Sequence, residues 1–159
     1  MPFTWLTNPM IKYLIIFLIA LIVISAVGLI FLMKRKPNYE IATIGINGKF
    51  FEAEVADTAI KRAKGLSGRK TLEENKAMFF IFPRPRRYNF WMIDMNFPLD
   101  IVWLNGNKVI DISKNVPSPR SGESPAVVSP SREADRVLEI SAGSAERLDI
   151  KIGDEVVTK

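Results

Sequence analysis

The chain has no cysteine and no histidine among its 159 residues. Without histidine there is no Ser-His-Asp triad and no imidazole to shuttle a proton. Without either residue there is no ordinary zinc site, no thiolate nucleophile and no disulfide framework. Neither a metal nor a cofactor is expected. Acidic residues are also absent from one whole stretch, since none precedes Glu40. The formal charge of +5 is therefore uneven. Lys12, Lys34, Arg35 and Lys36 are four of the 22 basic residues, which leaves 18 basic against 17 acidic side chains from residue 37 onward. A nearly neutral remainder argues against a nucleic-acid partner, whereas a local basic flank suits anionic lipid headgroups.

What the N-terminal region has is apolar length. Tyr13 to Met33 is a run of 21 residues without a charge. As a helix rising about 1.5 Å per residue, it spans the roughly 30 Å hydrocarbon core. Ser25 is the one polar interior residue and can bond back to a carbonyl of its own helix. Trp5 and Tyr13 suit an interfacial aromatic belt. A cleaved signal peptide would have a shorter apolar region ending at small residues, and Ser25-Ala26-Val27 is the nearest approach to one. The run continues past it, so an uncleaved anchor is the better reading. The expected organisation is a short flank (1–12), a transmembrane helix (13–33), a basic juxtamembrane linker (34–40) and a soluble domain (41–158). The bilayer is then a partner through residues 13–33. Lys34-Arg35-Lys36 outweighs Lys12 and the free amine by about one charge, which by itself would favour a cytoplasmic domain.

From residue 41 the pattern changes to short strands and turns. Ile41–Ile46 and Lys49–Val55 flank Asn47-Gly48, the strongest short hairpin signal because both central positions of a type I′ turn need positive φ. Asp57 is placed to cap a helix over 58–64 that stops at Gly65, and Thr71-x-x-Glu74 reads as a capping box for a second helical turn. Ala77–Phe82 reads as a strand buried on both faces and stopped by Pro83 and Pro85. Strands follow at 88–92 and 99–104. Asn105-Gly106 turns into 108–112, and a further strand lies at 136–140. A short helix over 144–148 and a last strand over 155–158 complete the chain. Residues 115–131, with four prolines and five serines, read as a flap, a binding loop or a disordered segment. The fold class is mainly β: a small barrel or sandwich with two short helices, preceded by one transmembrane helix. Phe79, Phe80, Phe82, Trp103, Val109, Ile110 and Leu138 are core candidates.

Four blocks, in order, carry a resemblance: residues 54–72, Ala77-Met78-Phe79-Phe80-Ile81-Phe82, residues 89–112 with Phe90-Trp91-Met92 and Pro98-Leu99-Asp100-Ile101, and residues 136–157. Together they resemble the family known as domain of unknown function 192, or the uncharacterised ACR family, over nearly all of 41–158. The resemblance implies a compact β-rich fold and frequent export or membrane anchoring, hence a domain outside the cytoplasm. It implies no activity. Members usually carry Lys-Asn-Thr where Ile93-Asp94-Met95 stands here, and Gly-Met-Leu-Phe where Ala77-Met78-Phe79-Phe80 stands. If the Lys-Asn-Thr side chains touch a ligand, that contact is altered in this chain.

Four residues are candidates for ligand contact. Asp100 sits in a strand that should be buried, where an ionised carboxylate needs hydrogen bonds or a cation. It is expected to accept backbone N–H groups near Pro98 or to pair with an arginine, with a ligand-facing role as the alternative. Arg62, which the family keeps at this place in its motif, could be that arginine or a fork for an anion; Arg69 is the other choice. Trp91, flanked by Phe90 and Met92 on the opposite face, is core or the wall of a pocket for an apolar or sugar-like ligand. Asp94 is a possible second acid. Glu52 and Glu54 share a face, Glu139 reads as outward-facing, and Arg84, Arg86 and Arg87 form a basic knot that is solvated or meets lipid phosphates. The functional expectation is a membrane-anchored module binding a small ligand or a protein partner. The alternative is a hydrolase for carbohydrate or another polar substrate that pairs Asp100 with Asp94 or Glu54.

Overall fold

A computed structural model describes residues 9–33 and 37–159. The chain divides into two units, Met1–Pro37 and Asn38–Lys159. In the first, the apolar run forms α1 (Pro9–Met33), 25 residues long and without a charged residue in its last turn. It opens on Pro9, a residue suited to the first helical position because its missing N–H would have no partner there. Ser25 Oγ donates to the Leu21 carbonyl at 2.8 Å, the back-bond expected of it. The stretch Pro9–Gly28 is long and apolar enough to cross a membrane, with a mean hydropathy of 2.7. The readings of Trp5 and of Lys34-Arg35-Lys36 lie outside the described residues.

The second unit is built on β1 (Glu40–Ile46), β2 (Lys49–Ala56), α2 (Ala59–Lys64), β3 (Lys76–Arg86), β4 (Phe90–Trp91), β5 (Leu99–Asn105), β6 (Lys108–Val116), β7 (Val127–Val128), β8 (Ala134–Ser141), α3 (Ser144–Arg147) and β9 (Val156–Thr158). Seven strands make one sheet in the order β6-β5-β8-β3-β2-β1-β9, and β4 pairs with β7 apart from it. The β2–β3 pair is parallel, with Val55 opposite Phe79, so α2 is the crossover between adjacent parallel strands. All other pairs are antiparallel. The sheet curls until its outer strands meet at one end. Lys108 bridges Glu155, Val156 N–H donates to the Asn107 carbonyl at 2.8 Å, and Val109 N–H donates to the Asp154 carbonyl at 2.9 Å.

Alternation sorts the apolar residues into two layers. One draws on every strand of the sheet, with Ile44, Phe51, Phe79, Val102, Val109, Leu138, Ile140 and Val156. The other covers the opposite face of β3, β5 and β8, with Met78, Phe80, Ile101, Trp103 and Val137 packed against Leu66, Met92 and Met95. Each large side chain so buried contributes about 1.5–3 kcal/mol relative to exposure. The expected mainly-β fold with a curled, barrel-like sheet is what these residues form. Phe82 and Ile110, expected in the core, are only partly buried.

Several local expectations need correction. Thr58, not Asp57, caps α2: its side chain accepts from Lys61 N–H at 3.2 Å, and Asp57 instead pairs with Lys61 Nζ at 2.8 Å. No helix follows Thr71. Residues 71–73 are irregular, and the turn that follows closes from Lys76 N–H to the Glu73 carbonyl at 3.0 Å. Pro83 and Pro85 do not stop β3, which continues to Arg86. A register shift between Ile81 and Arg86 spares the prolines the ladder donor they lack. The strand expected at 88–92 shrinks to β4. The turn after β5 is centred on Gly106 (φ 61°) and Asn107, one residue later than expected. Asn47 (φ 49°) and Gly48 (φ 75°) do form the predicted turn between β1 and β2.

Candidate functional site

The crossover from β2 to β3 lays α2 over the second apolar layer, and an open cavity of about 290 Å³ lies between them. Its walls come from three places. From α2 and the loop after it come Ala59, Arg62, Ala63, Lys64, Leu66 and Ser67; β3 gives Phe80 and Phe82. The third wall is the segment from Tyr88 to Met95, with Phe90, Trp91, Met92 and Met95. Gly65 makes the fold of the first wall possible. At φ 48° and ψ −140° it ends α2 in a region closed to other residues, while its N–H donates to the Lys61 carbonyl at 2.9 Å. The third wall is held by β7, because Trp91 pairs with Val127 and Met92 N–H donates to the Ala126 carbonyl at 2.9 Å. The proline-rich segment is thus ordered where it backs the cavity.

The rings form a contiguous wall. Phe82 stacks on Tyr88 at 3.8 Å between centroids. Phe90 meets Phe80 edge-on at 4.9 Å and Trp103 at 5.1 Å. Trp91 is 53 % exposed. Arg62 lies with its guanidinium carbon 5.0 Å from the Phe82 centroid, and its Nη1 donates to the carbonyls of Asp57 (2.7 Å) and Ile81 (2.8 Å). Those bonds tie α2 to β3. Arg62 and Trp91 therefore meet in one cavity, as two of the four candidates.

The acid in that cavity is one the sequence pointed away from. Glu139, read as outward-facing, is only 7 % exposed and is the single carboxyl among the lining residues. It lies opposite Met78 of β3 and Ile101 of β5, both in the second apolar layer. Its Oε2 is buried and has no hydrogen-bond partner among the described residues. Burial pushes its carboxyl up to about 8, with the positive charge of Arg69 pulling it partly back. Arg69 does not reach it as a partner. Its Nη1 and Nη2 each lie 2.6 Å from a Glu54 oxygen, in a fork-to-fork pair. Burial thus favours the protonated form of Glu139, a residue that lines an aromatic cavity while its buried Oε2 goes unused.

Asp100 and Asp94 lie elsewhere. Asp100 is fully buried on the other face of the sheet, opposite Ile140 of the first layer. Its Oδ1 accepts from Asn115 N–H at 2.7 Å and its Oδ2 from Ala145 N–H at 2.8 Å. It ties the end of β6 to the start of α3; its partners are neither an arginine nor amides near Pro98, and it lines neither cavity described here. Asp94 is exposed at φ 55°, and its carbonyl accepts from Gly68 N–H at 2.8 Å. Asn and Asp are the side chains that best tolerate such a φ, so Asp94 in place of the family's Asn keeps the backbone bend. Met95, where the family has Thr, is buried in the cavity wall. A second, more polar cavity of about 220 Å³ holds Glu52 and Glu54 on one side, as their spacing requires, neutralised by Lys76 (2.7 Å) and Arg69. Asp100 therefore shares neither of these two cavities with Asp94 or Glu54. Among the described residues no cluster of three or more Asp and Glu side chains could hold a metal ion.

Comparison with known proteins identifies a family. A family model described as domain of unknown function 192, an uncharacterised ACR family, matches residues 42–158. A crystal structure of a protein of unknown function from Novosphingobium aromaticivorans is similar at 30% identity. The likeness covers 78% of this chain and 94% of that one, with a TM-score of 0.65. A structure from Sinorhizobium meliloti, described as that of a candidate transcription regulator, is 24% identical over 78% of this chain and 98% of that one. Its TM-score is 0.69, and at that identity the likeness speaks to the fold. No match is found among curated proteins.

Proposed function

The chain belongs to the uncharacterised ACR family, domain of unknown function 192, and from that premise we propose that it is a membrane-anchored module binding a small ligand in the cavity beside α2. Glu139 carries the reading. A buried polar atom without a partner costs about 1–3 kcal/mol, and a domain that keeps one on a residue lining an aromatic cavity is arranged for a partner from outside. The anchor is α1, supported by its length and by the absence of charge from Tyr13 to Met33. Resemblance to exported relatives favours a domain on the outer side of the membrane. Nucleic acid is not the partner proposed, because the domain carries nearly as many acids as bases. Hydrolysis by paired carboxylates has less support, since the cavity lining includes one carboxyl only.

The test is a fragment screen by ligand-observed NMR on the full chain in lipid nanodiscs, repeated with Ala63→Trp. Ala63 is exposed on the cavity wall, so the larger ring fills the space without entering the core. Fragments that bind the natural chain and are lost in Ala63→Trp support the reading. A screen with no fragment sensitive to Ala63→Trp overturns it.

A further inference from the structure

The ligand class can be argued from the charges around Glu139. Three cations face its side of the sheet: Arg62 and Lys64 from α2, and Arg69 from the loop beyond. Arg69 is spent on Glu54 through both of its terminal nitrogens. Arg62 is engaged by two carbonyls and by the Phe82 face. Lys64 is exposed. From β3 and the segment after it, Glu139's cavity receives Phe80, Phe82, Tyr88 and Phe90, which offer ring surface, with Tyr88 Oη turned to the Arg84 carbonyl at 2.8 Å. The floor is thus an acid without a cation, and the walls are aromatic. Aromatic faces and a desolvated carboxylate attract the same thing, a compact positive charge carrying N–H groups.

We propose that the cavity takes a compact organic monoamine, its ammonium group paired with the Glu139 carboxylate and its apolar body lying against Phe80, Phe82 and Phe90. The assignment rests on the ligand-binding reading above and narrows it. Arg62 and Lys64 line the same cavity and repel any positive charge on the ligand, so one ammonium, matched to the single carboxylate, is favoured over a polyamine. The proton balance is simple. At pH 7 the free protein holds Glu139 as the acid; on binding, that proton leaves to the buffer, and the ammonium keeps its own.

Three ligands on one aryl body separate the possibilities: 2-phenylethylamine, 2-phenylethanol and phenylacetate. Each is titrated calorimetrically into the full chain in nanodiscs, with empty nanodiscs as the blank and buffers of different ionisation enthalpy. The amine is expected to bind at least about tenfold tighter than the alcohol at pH 8, the factor that about 1.4 kcal/mol supplies. It should release close to one proton at pH 7, and its affinity should rise about tenfold from pH 6 to pH 7, below the Glu139 value of about 8. Glu139→Gln should abolish the preference and the proton release while the alcohol still binds. Alcohol or phenylacetate binding as tightly as the amine overturns the assignment and leaves the cavity a ligand site. So does amine binding unchanged in Glu139→Gln. Binding by none of the three also overturns the amine, whereas the ligand site itself falls only on the Ala63→Trp screen.

Discussion

Glu139 makes this domain's stability depend on pH in an unusual direction. Unfolded, the side chain ionises near its ordinary 4.5; folded, it keeps its proton up to about 8. Between those values the native state binds more protons, so stability falls as pH rises, by at most about 1.4 kcal/mol per pH unit. Urea midpoints of the full chain should therefore drop from pH 5 to pH 8, and Glu139→Gln should flatten the profile and be the more stable protein at pH 8. A midpoint that rises over that range would contradict the buried, protonated state. Asp100 differs in its bonding, because both of its oxygens are satisfied. Asp100→Asn turns an acceptor into a donor facing an amide and should cost about 2–4 kcal/mol, read as a lower urea midpoint with ligand binding at the cavity retained. The need to satisfy Asp100 was visible in the sequence, since an acid inside Leu99–Trp103 has no cheap alternative. Glu139 was not. Its neighbours Leu138 and Ile140 claimed the inner face, and alternation then assigned Glu139 to water. What that reasoning lacked is that β8 lies between β3 and β5, where a second layer covers the outer face as well.

At the scale of elements, local chemistry located the strands better than it located their ends. The Asn47-Gly48 turn was readable because its φ demand admits few residues. Its tertiary role was not: Asn47 Nδ2 also donates to the carbonyls of Leu148 and Asp149 and to Asp154 Oδ2, tying the β1–β2 turn to the segment between α3 and β9. Asn47→Ala should thus cost more than a turn residue normally does, about 1–3 kcal/mol by thermal or urea unfolding, whereas Asn47→Gly should recover the backbone share only. For α2, Thr58→Ala should cost about 1 kcal/mol and Asp57→Ala less, as befits the true cap and a neighbouring surface ion pair. Pro83 and Pro85 misled because proline removes a ladder donor, yet β3 leaves the regular ladder with β8 after Ile81 and so has no donor to lose.

For the molecule as a whole, the absence of charge in 13–33 and the near balance of charge after it separate an apolar helix from a domain. The full chain is expected to remain with membranes through alkaline carbonate, and a chain lacking residues 13–33 to be released. Protease added to intact cells should reach the domain if it lies outside. The sequence reached the mainly-β class and the family because strand patterns and motif blocks are local records. It could not reach the cavity, whose walls are a crossover helix, one strand and a segment pinned by two residues of a distant loop.

Where the outer strands of the sheet meet, a further consequence follows for crowding. An unpaired strand edge is a template on which another copy can add, and tethering to a surface raises the encounter rate of such edges. Here β9 covers Ile44–Ile46, Thr43 exchanges two hydrogen bonds with Lys159, and on the β1 edge only Glu40–Ala42 lies beyond those pairings. The last strand of the domain therefore serves as a guard for the β1 edge: beyond its pairing, three residues of β1 are left there on which another copy could add.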